Sequence, residues 1–366
     1  MTRLILRLYL ILSLTLAGAA VTGQAEESIP GVASHYGVVE VADGSRLTAI
    51  ISRPAGDTEP RHPLLFTQWV SCDSLEYRPG SNSSELLAAL ARDSGLALVR
   101  VERTALDGTG PACENLDYDT ELAHYTEAFT RLLDDERLDA GRVYLYGSSL
   151  GSTTAPLVAN RLQDAGFDIA GIVVQGGGAV TYLERMLHFD RIYLERRPDA
   201  VAPADIHDEM LRRARFHYEY LVRKRHPDEV ASDGSEMAAV REDILGMGDA
   251  DHYGRPFAWH QQAAAHNFLA AWAELDAPVL VIFNAFDQFE TRHGHQLIAA
   301  TVNRLRPGTA TFVERPNVGH SGNRYATIED AYAWRDGTKA WQEEAEIMVD
   351  WLRHSPPVIS PVATRR

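Results

Sequence analysis

Short apolar runs alternate with helical stretches along most of the chain. Eight of these runs are rich in branched and aromatic residues, which favour β-strands because such side chains suit a buried pleated surface. The first two flank Asp43-Gly44, a dipeptide typical of tight hairpin turns. The predicted strands cover residues 35–41, 46–52, 63–69, 96–102, 142–146, 170–175, 278–283 and 309–313.

Segments with helical character separate most of these strands. Strands that alternate with helices indicate a mostly parallel, doubly wound sheet with helices on both faces. The pattern therefore predicts an α/β fold. The predicted helices cover residues 83–93, 119–134, 152–162, 208–225, 258–274, 295–304 and 339–353.

The alternation stops between the sixth and seventh predicted strands. Residues 181–276 are rich in Arg, Glu, Asp, His and aromatic residues. We expect them to form a helical cap inserted into a core made of residues 26–180 and 277–354, with residues 355–366 as a loose tail. Open α/β sheets bind ligands at the carboxyl edge of their strands, which such a cap would cover. An extra helical layer away from that edge is the alternative.

The first 25 residues have the layout of a secretory signal peptide. A short region with two arginines precedes the apolar run 8–16, and small residues follow, with candidate cleavage sites after Ala20 and Ala25. The apolar run is shorter than the ~20 residues needed to span a bilayer. We therefore expect an exported protein, periplasmic or secreted, with no stable membrane insertion once the signal is removed.

The charge balance is acidic. The chain of 366 residues has 51 acidic and 35 basic side chains, which gives a formal net charge of −16. Loss of the two arginines in the signal segment would move this to −18. An acidic surface argues against nucleic acid or an anionic membrane as a partner.

The sequence contains two cysteines, Cys72 and Cys113. Both fall in loops that follow consecutive predicted strands. In an exported protein a single pair of cysteines favours one disulfide. Two unrelated free thiols are the alternative.

The G-x-S-x-G pentapeptide at 147–151 lies between a predicted strand and a predicted helix. Strand, sharp turn and helix form the context of a nucleophile elbow, in which the central serine projects from the top of the sheet. We therefore predict that Ser149 is a nucleophile. A plain Gly/Ser loop that leads into a helix is the alternative.

A nucleophilic serine needs a base and an acid that orients the base. In α/β hydrolases these follow the serine in the order acid, then histidine. The loop after the seventh predicted strand contains Asp287, with Glu290 as a competing choice or a solvated charge. The loop after the eighth contains His320. We predict that His320 acts as general base and that Asp287 fixes its tautomer.

With these motifs the chain resembles the α/β-hydrolase-fold serine hydrolases over residues 35–353. Residues 253–262 are similar to a region of bacterial exported hydrolases akin to the prolyl-oligopeptidase and serine-aminopeptidase branches. The resemblance implies a cofactor-independent enzyme that cleaves a small-molecule or peptide acyl substrate through an acyl-enzyme. An ester is favoured, with peptidase and thioesterase activity as alternatives. A non-catalytic binding protein that has kept the fold is the alternative from another class.

The resemblance also implies an oxyanion hole. Enzymes with this fold use the N–H after the nucleophile, here that of Leu150, and a second N–H from the loop after the third strand. Many relatives have His-Gly where this chain has Gln68-Trp69, so the second donor is either Trp69 or Val70. Trp69 is expected either to line the acyl pocket or to pack in the core.

Other polar clusters carry weaker signals. His252 and His260 match no zinc-binding spacing, and we interpret them as cap-surface residues or substrate contacts. His293 and His295 are expected to cap a helix or to lie at the surface. The glycines at 176–178 lack the G-x-G-x-x-G frame of a nucleotide site. The sequence therefore implies no metal and no cofactor.

Overall fold

The computed structural model describes residues 27–197 and 201–354. The predicted signal peptide (1–25) and the predicted loose tail (355–366) lie outside these ranges. Among the described residues, no helix combines the length and the apolar character needed to cross a bilayer.

Eight strands form one twisted central sheet in the order β1-β2-β4-β3-β5-β6-β7-β8. Within that sheet β2 is antiparallel to both its neighbours, and the remaining neighbours pair in parallel. All eight predicted strands are present, and the predicted doubly wound α/β architecture is confirmed. The strands are β1 (Val32–Glu40), β2 (Arg46–Pro54), β3 (Pro63–Thr67), β4 (Ala97–Ala105), β5 (Val143–Ser148), β6 (Ile169–Gln175), β7 (Val279–Asn284) and β8 (Ala310–Arg315).

The described helices, in chain order, are α1 (Asn82–Asp93), α2 (Tyr118–Leu132), α3 (Gly151–Asp164), α4 (Tyr182–Arg196), α5 (Pro203–His217), α6 (Pro227–Ala231), α7 (Ser235–Asp243), α8 (Phe257–Ala263), α9 (Phe268–Glu274), α10 (Arg292–Leu305), α11 (Ile328–Tyr332) and α12 (Trp341–His354).

Helices cover both faces of the sheet, which explains why the central strands are apolar on both sides. Leu64 and Phe66 of β3 pack into one core with α1 and α12. Leu65, between them, packs into the other core with α2, α3 and α10. Successive side chains of a strand point to opposite faces, so one short apolar run fills both cores.

Among the described residues, six α-helices, α4 to α9, lie between β6 and β7. The expected single helix over 258–274 is wrong: it is divided into α8 and α9, because Asn267 accepts a hydrogen bond from the N–H of Ala270 and starts a new helix there. The helix predicted from residue 208 begins earlier, at Pro203, where proline is preorganised for a first turn. It is followed by a π-helical turn over Tyr218–Val222.

The two cysteines form the predicted disulfide. The Cα atoms of Cys72 and Cys113 are 5.6 Å apart, within the range that a bridge requires. Cys72 lies after β3 and Cys113 after β4, and these strands are neighbours in the sheet. The bridge therefore ties two loops at the carboxyl edge of the sheet to each other.

We predict that a Cys72→Ala/Cys113→Ala double variant loses stability. The bridge spans 41 residues of sequence, for which the loss of unfolded-chain entropy is worth about 4 kcal/mol. Chemical unfolding should show this loss in free energy, and added reductant should destabilise the wild type while leaving the double variant unchanged. Equal stability of the wild type with and without reductant would contradict the prediction.

Candidate active site

Ser149 occupies a strained turn between β5 and α3. Its backbone φ is 52°, in the left-handed region, which costs residues other than glycine about 1–3 kcal/mol to adopt. The N–H of Ser149 donates to the carbonyl of Gln175 at 2.7 Å, which anchors the turn to the end of β6. The serine hydroxyl is thus held at the carboxyl edge of the sheet, at the N-terminus of α3.

Both glycines of the pentapeptide are required by close packing. A Cβ added to Gly147 would lie 2.5 Å from the carbonyl oxygen of Gly151. A Cβ added to Gly151 would overlap the carbonyl oxygen of Thr67, the last residue of β3. The absence of side chains lets β3, β5 and α3 approach each other at the turn.

The structure brings Ser149, His320 and Asp287 together in one chain of hydrogen bonds. The Ser149 Oγ to His320 Nε2 distance is 2.9 Å. The His320 Nδ1 to Asp287 Oδ2 distance is 2.8 Å. Asp287 follows β7 and His320 follows β8, and these two parallel strands are neighbours that end at the same edge.

Asp287 is buried and held at both carboxylate oxygens. Oδ1 accepts the backbone N–H groups of Phe289 and Glu290, each at 2.8 Å, which leaves Oδ2 for His320. Burial by itself would raise the pKa of Asp287, but His320 and these hydrogen bonds hold that pKa below its ordinary value. Asp287 is therefore ionised at neutral pH.

His320 is fixed through its backbone as well as its ring. Its N–H donates to Gln288 Oε1 at 2.9 Å. Burial alone would lower the pKa of His320, but the charge of Asp287 and its hydrogen bond raise it above the ordinary value. Because the ionised Asp287 can only accept, Nδ1 carries the proton of the neutral ring, and Nε2 of that neutral ring presents a lone pair to Ser149.

Glu290 is not a solvated charge, which was one of the two roles expected for it. It is buried, and its Oε1 forms an ion pair with Nε of the buried Arg185 at 2.8 Å. Arg185 belongs to α4, in the segment between β6 and β7. Burial raises the pKa of Glu290 although Arg185 opposes this shift. The carboxylate that bonds His320 is Asp287, and Glu290 links the same loop to α4.

A cavity of about 360 Å³ opens beside Ser149 and His320. Leu150, Trp69 and Val70, the residues predicted to supply oxyanion donors, all line it. The third strand ends at Thr67 rather than at residue 69, so Trp69 lies in the loop. Its ring packs edge-on against Phe66 at 5.8 Å between centroids, so Trp69 both lines the cavity and contacts the core.

Another part of the cavity lining comes from the segment between β6 and β7 and from the loop after β7. Tyr182, Met186 and Phe189 of α4 line the wall together with Tyr253 and Phe289. At least α4 of this segment therefore faces the site. In contrast, α8 packs against α2, and α9 packs against α3 and α10, beside the sheet.

The loop that carries Trp69 and Val70 is tied to buried charges. Arg103 of β4 donates to the carbonyl oxygen of Ser71 and, at 3.2 Å, to Glu121 Oε1. Glu121 also accepts from Arg255, whose other guanidinium nitrogen lies 2.9 Å from Sγ of Cys113. The disulfide and this charge cluster together restrain the loop.

Several histidines are buried rather than exposed, so their predicted surface positions are wrong. His260 contacts the Tyr182 hydroxyl at 2.7 Å and the carbonyl oxygen of His252 at 2.6 Å, and both histidines are inaccessible to solvent. His295 is buried with Nδ1 2.8 Å from the carbonyl of Thr291. His252 Nε2 lies 3.2 Å from the carbonyl oxygen of Leu245, so each ring has an internal hydrogen-bond partner, which makes its burial possible.

Some residues that support the site carry no sequence signal of their own. Asn284 donates to the carbonyl of Gly319 at 3.0 Å and so fixes the loop before His320. The Tyr332 hydroxyl donates to the carbonyl of Asp287 at 2.8 Å. Gln288 lies next to Asp287 in the sequence, but its contact with His320 depends on how two loops meet.

Comparison with known proteins agrees with this architecture. The sequence model of the alpha/beta hydrolase family matches residues 69–331, and the chain belongs to this family. No protein of curated function is similar enough in sequence to count as a match.

Among solved structures, an esterase from Pyrobaculum calidifontis is 15% identical, with a TM-score of 0.50 over 88% of this chain and 84% of that one. Carboxyl esterase 2 from the fungus Tuber melanosporum is 11% identical, with a TM-score of 0.53 over 91% and 89%. A fungal esterase from Rhizomucor miehei is 14% identical, with a TM-score of 0.51 over 89% and 85%. At these identities the likeness is one of fold.

We predict that Glu290→Gln lowers stability much more than a surface change on α4, the helix that carries its partner Arg185. It leaves Arg185 buried without its charge partner, which typically costs about 3–5 kcal/mol. Glu195 of α4 pairs with Arg191 in the solvent at 3.2 Å, so Glu195→Gln should cost under about 1 kcal/mol. Denaturant unfolding compares the two variants. Equal losses in the free energy of unfolding would show that the buried ion pair matters no more than the exposed one.

Proposed function

We propose that this chain is a cofactor-independent serine hydrolase that cleaves carboxylic esters through an acyl-enzyme. The observation that carries the proposal is the hydrogen-bond chain from Ser149 through His320 to Asp287, with the serine hydroxyl at the wall of a cavity. A nucleophile, a base and an orienting acid in contact are what acyl transfer requires.

In the proposed mechanism His320 Nε2 takes the proton from Ser149 as the hydroxyl attacks the substrate carbonyl. The ionised Asp287 stabilises the imidazolium that results and keeps the ring oriented. His320 then gives its proton to the leaving alkoxide, and an acyl group remains on Ser149. A water molecule, activated by the same histidine, attacks this ester and releases the acid.

The negative charge that develops on the carbonyl oxygen needs fixed donors. We assign this role to the N–H of Leu150 and to the N–H of either Trp69 or Val70. Support comes from their shared cavity wall and from the position of Leu150 at the start of α3. Loss of one such donor typically costs about 100- to 1,000-fold in rate. The Cys72–Cys113 bridge and Arg103 would then hold the donor loop in place.

An ester is the favoured substrate over an amide or a thioester. The solved structures similar in fold include several esterases, and esters need no further activation of the leaving group by this triad. We also propose that the protein works outside the cytoplasm, and its disulfide suits an oxidising compartment.

We predict that Ser149→Ala abolishes hydrolysis of p-nitrophenyl esters and leaves the fold intact. Ser148→Ala is the matched control, because it removes the adjacent hydroxyl on the same turn, and we expect it to retain substantial activity. Initial rates of hydrolysis of esters, an aminoacyl amide and a thioester give the activity of both variants. The same rates show which type of acyl bond is cleaved fastest. An essential Ser148 with a dispensable Ser149 would refute the elbow assignment. Lack of turnover of every acyl bond would favour a binding protein.

We predict a pH profile governed by His320. The base must be neutral to accept a proton, and Asp287 raises its pKa above the usual 6.5, so kcat/KM should fall as pH falls through that raised value. Asp287→Asn removes the charge, so the acid limb should move to lower pH while the maximum falls by about 10,000-fold.

Glu290→Gln is the control for this profile. It removes a nearby carboxylate that Arg185 already compensates, so the acid limb should move less than in Asp287→Asn and most activity should remain at temperatures where the variant is folded. An unmoved acid limb in Asp287→Asn would show that another group controls the profile.

A further inference from the structure

Carboxyl groups line the cavity beside Ser149, and two of them are ion-paired with arginines that do not themselves line it. Asp73, Glu290 and Glu344 line it, whereas within the described ranges no lysine or arginine side chain does so. Glu290 is paired with Arg185 behind the wall, and Asp73 accepts a hydrogen bond from the hydroxyl of Ser71 at 2.7 Å. Glu344 differs from both.

Glu344 is buried on α12 and uses only one of its two oxygens. Its Oε2 accepts from Nη1 of Arg315 at 2.6 Å, while its Oε1 has no hydrogen-bond partner among the described residues. Arg315 is itself buried and also donates to Asn284 Oδ1 and to the carbonyl of Ala340. A buried acceptor without a donor is costly, and this one belongs to a side chain that lines the cavity, so a donor bound there would satisfy it.

Aromatic side chains are part of the same cavity lining. Phe66, Trp69, Tyr146 and Trp341 line it, and Trp341 lies one turn before Glu344 on the same helix. The faces of such rings attract cations, most strongly where water is excluded. A free carboxylate oxygen together with aromatic walls suits a group that is both a hydrogen-bond donor and positively charged.

We propose that Glu344 determines specificity by binding a protonated amine of the substrate. The inference rests on the proposed ester hydrolysis and narrows it to esters with a primary or secondary ammonium group in the part that enters the cavity. A hydroxyl would satisfy Oε1 as a neutral donor, but only a cation also gains from the aromatic rings in the cavity wall.

The test compares p-nitrophenyl esters of β-alanine, 6-aminohexanoic acid and 8-aminooctanoic acid at pH 7.5. Each has two matched partners: the alkyl ester in which a methyl replaces the ammonium, and the ester with a terminal hydroxyl. The three lengths sample the reach from Ser149 to Glu344. The variant is Glu344→Gln, which keeps the side-chain shape and an oxygen for Arg315 but removes the negative charge paired with it, so a loss of stability is expected.

Glu343→Gln is the matched control on the adjacent position of α12. It removes the same charge near the same guanidinium, since Glu343 Oε2 lies 3.6 Å from Arg315, but Glu343 is partly exposed, contacts Arg324 and does not line the cavity. Thermal unfolding confirms that both variants are folded under assay conditions.

For the amino ester whose length fits, we expect the wild-type kcat/KM to exceed that of the alkyl ester by at least tenfold. Glu344→Gln should lower kcat/KM for this amino ester by about ten- to 100-fold, as expected for the loss of a hydrogen bond to a charged group. The alkyl esters should change less than threefold, and Glu343→Gln should leave all esters within threefold.

If Glu344→Gln does not fold, hexylammonium and hexanol are compared as inhibitors of p-nitrophenyl acetate hydrolysis by the wild type. Hexylammonium should then inhibit at a concentration at least tenfold lower than hexanol.

Three results would overturn the inference while the proposed hydrolase function stands: no preference for an amine at any length, an equal loss for amino and alkyl esters, or an equal loss for amino and hydroxy esters. Absence of Ser149-dependent turnover of every ester would instead overturn the proposed function, and this inference with it.

Discussion

The close approach of backbones at the Ser149 turn is the constraint on which the site depends. At this point the end of β3, the end of β5 and the first turn of α3 come so near each other that Gly147 and Gly151 have no room for a Cβ. The left-handed backbone of Ser149 is held by its hydrogen bond to Gln175 on β6. Packing on three sides therefore compensates the strain and fixes the direction of the hydroxyl.

Buried charges connect the rest of the cavity to this turn. Arg185 of α4 pairs with Glu290, whose backbone N–H holds Asp287, so the helical segment and the acid loop are joined. Glu121 of α2 accepts from Arg255 in the same way on the side of the donor loop. Such pairs contribute modest net stability, but removal of one partner leaves a charge unpaired, so they fix the position of the segment.

Local patterns in the sequence were enough to predict the sheet and the main residues of the site. Period and composition predicted every strand of the sheet, and chain order selected Asp287 and His320, which the structure places in contact with each other. The prediction of one unbroken helix over 258–274 was wrong, because the apolar periodicity of the sequence continues across the N-cap at Asn267.

Long-range contacts could not be predicted from these patterns. The burial of Glu290 depends on Arg185, about 100 residues away in the sequence. The burial of His260 depends on Tyr182, and the exposed fraction of a polar side chain follows from such partners rather than from its own type. The free oxygen of Glu344 likewise appears only when α12 packs beside the cavity.

We propose above all that Ser149 is a nucleophile activated by His320. The most direct measurement is to treat the purified protein with a fluorophosphonate and to locate the adduct by peptide mass spectrometry. We predict one adduct per chain, on Ser149, formed far more slowly in His320→Ala although its serine is intact. Labelling of another residue, or an equal rate of labelling in His320→Ala, would contradict it.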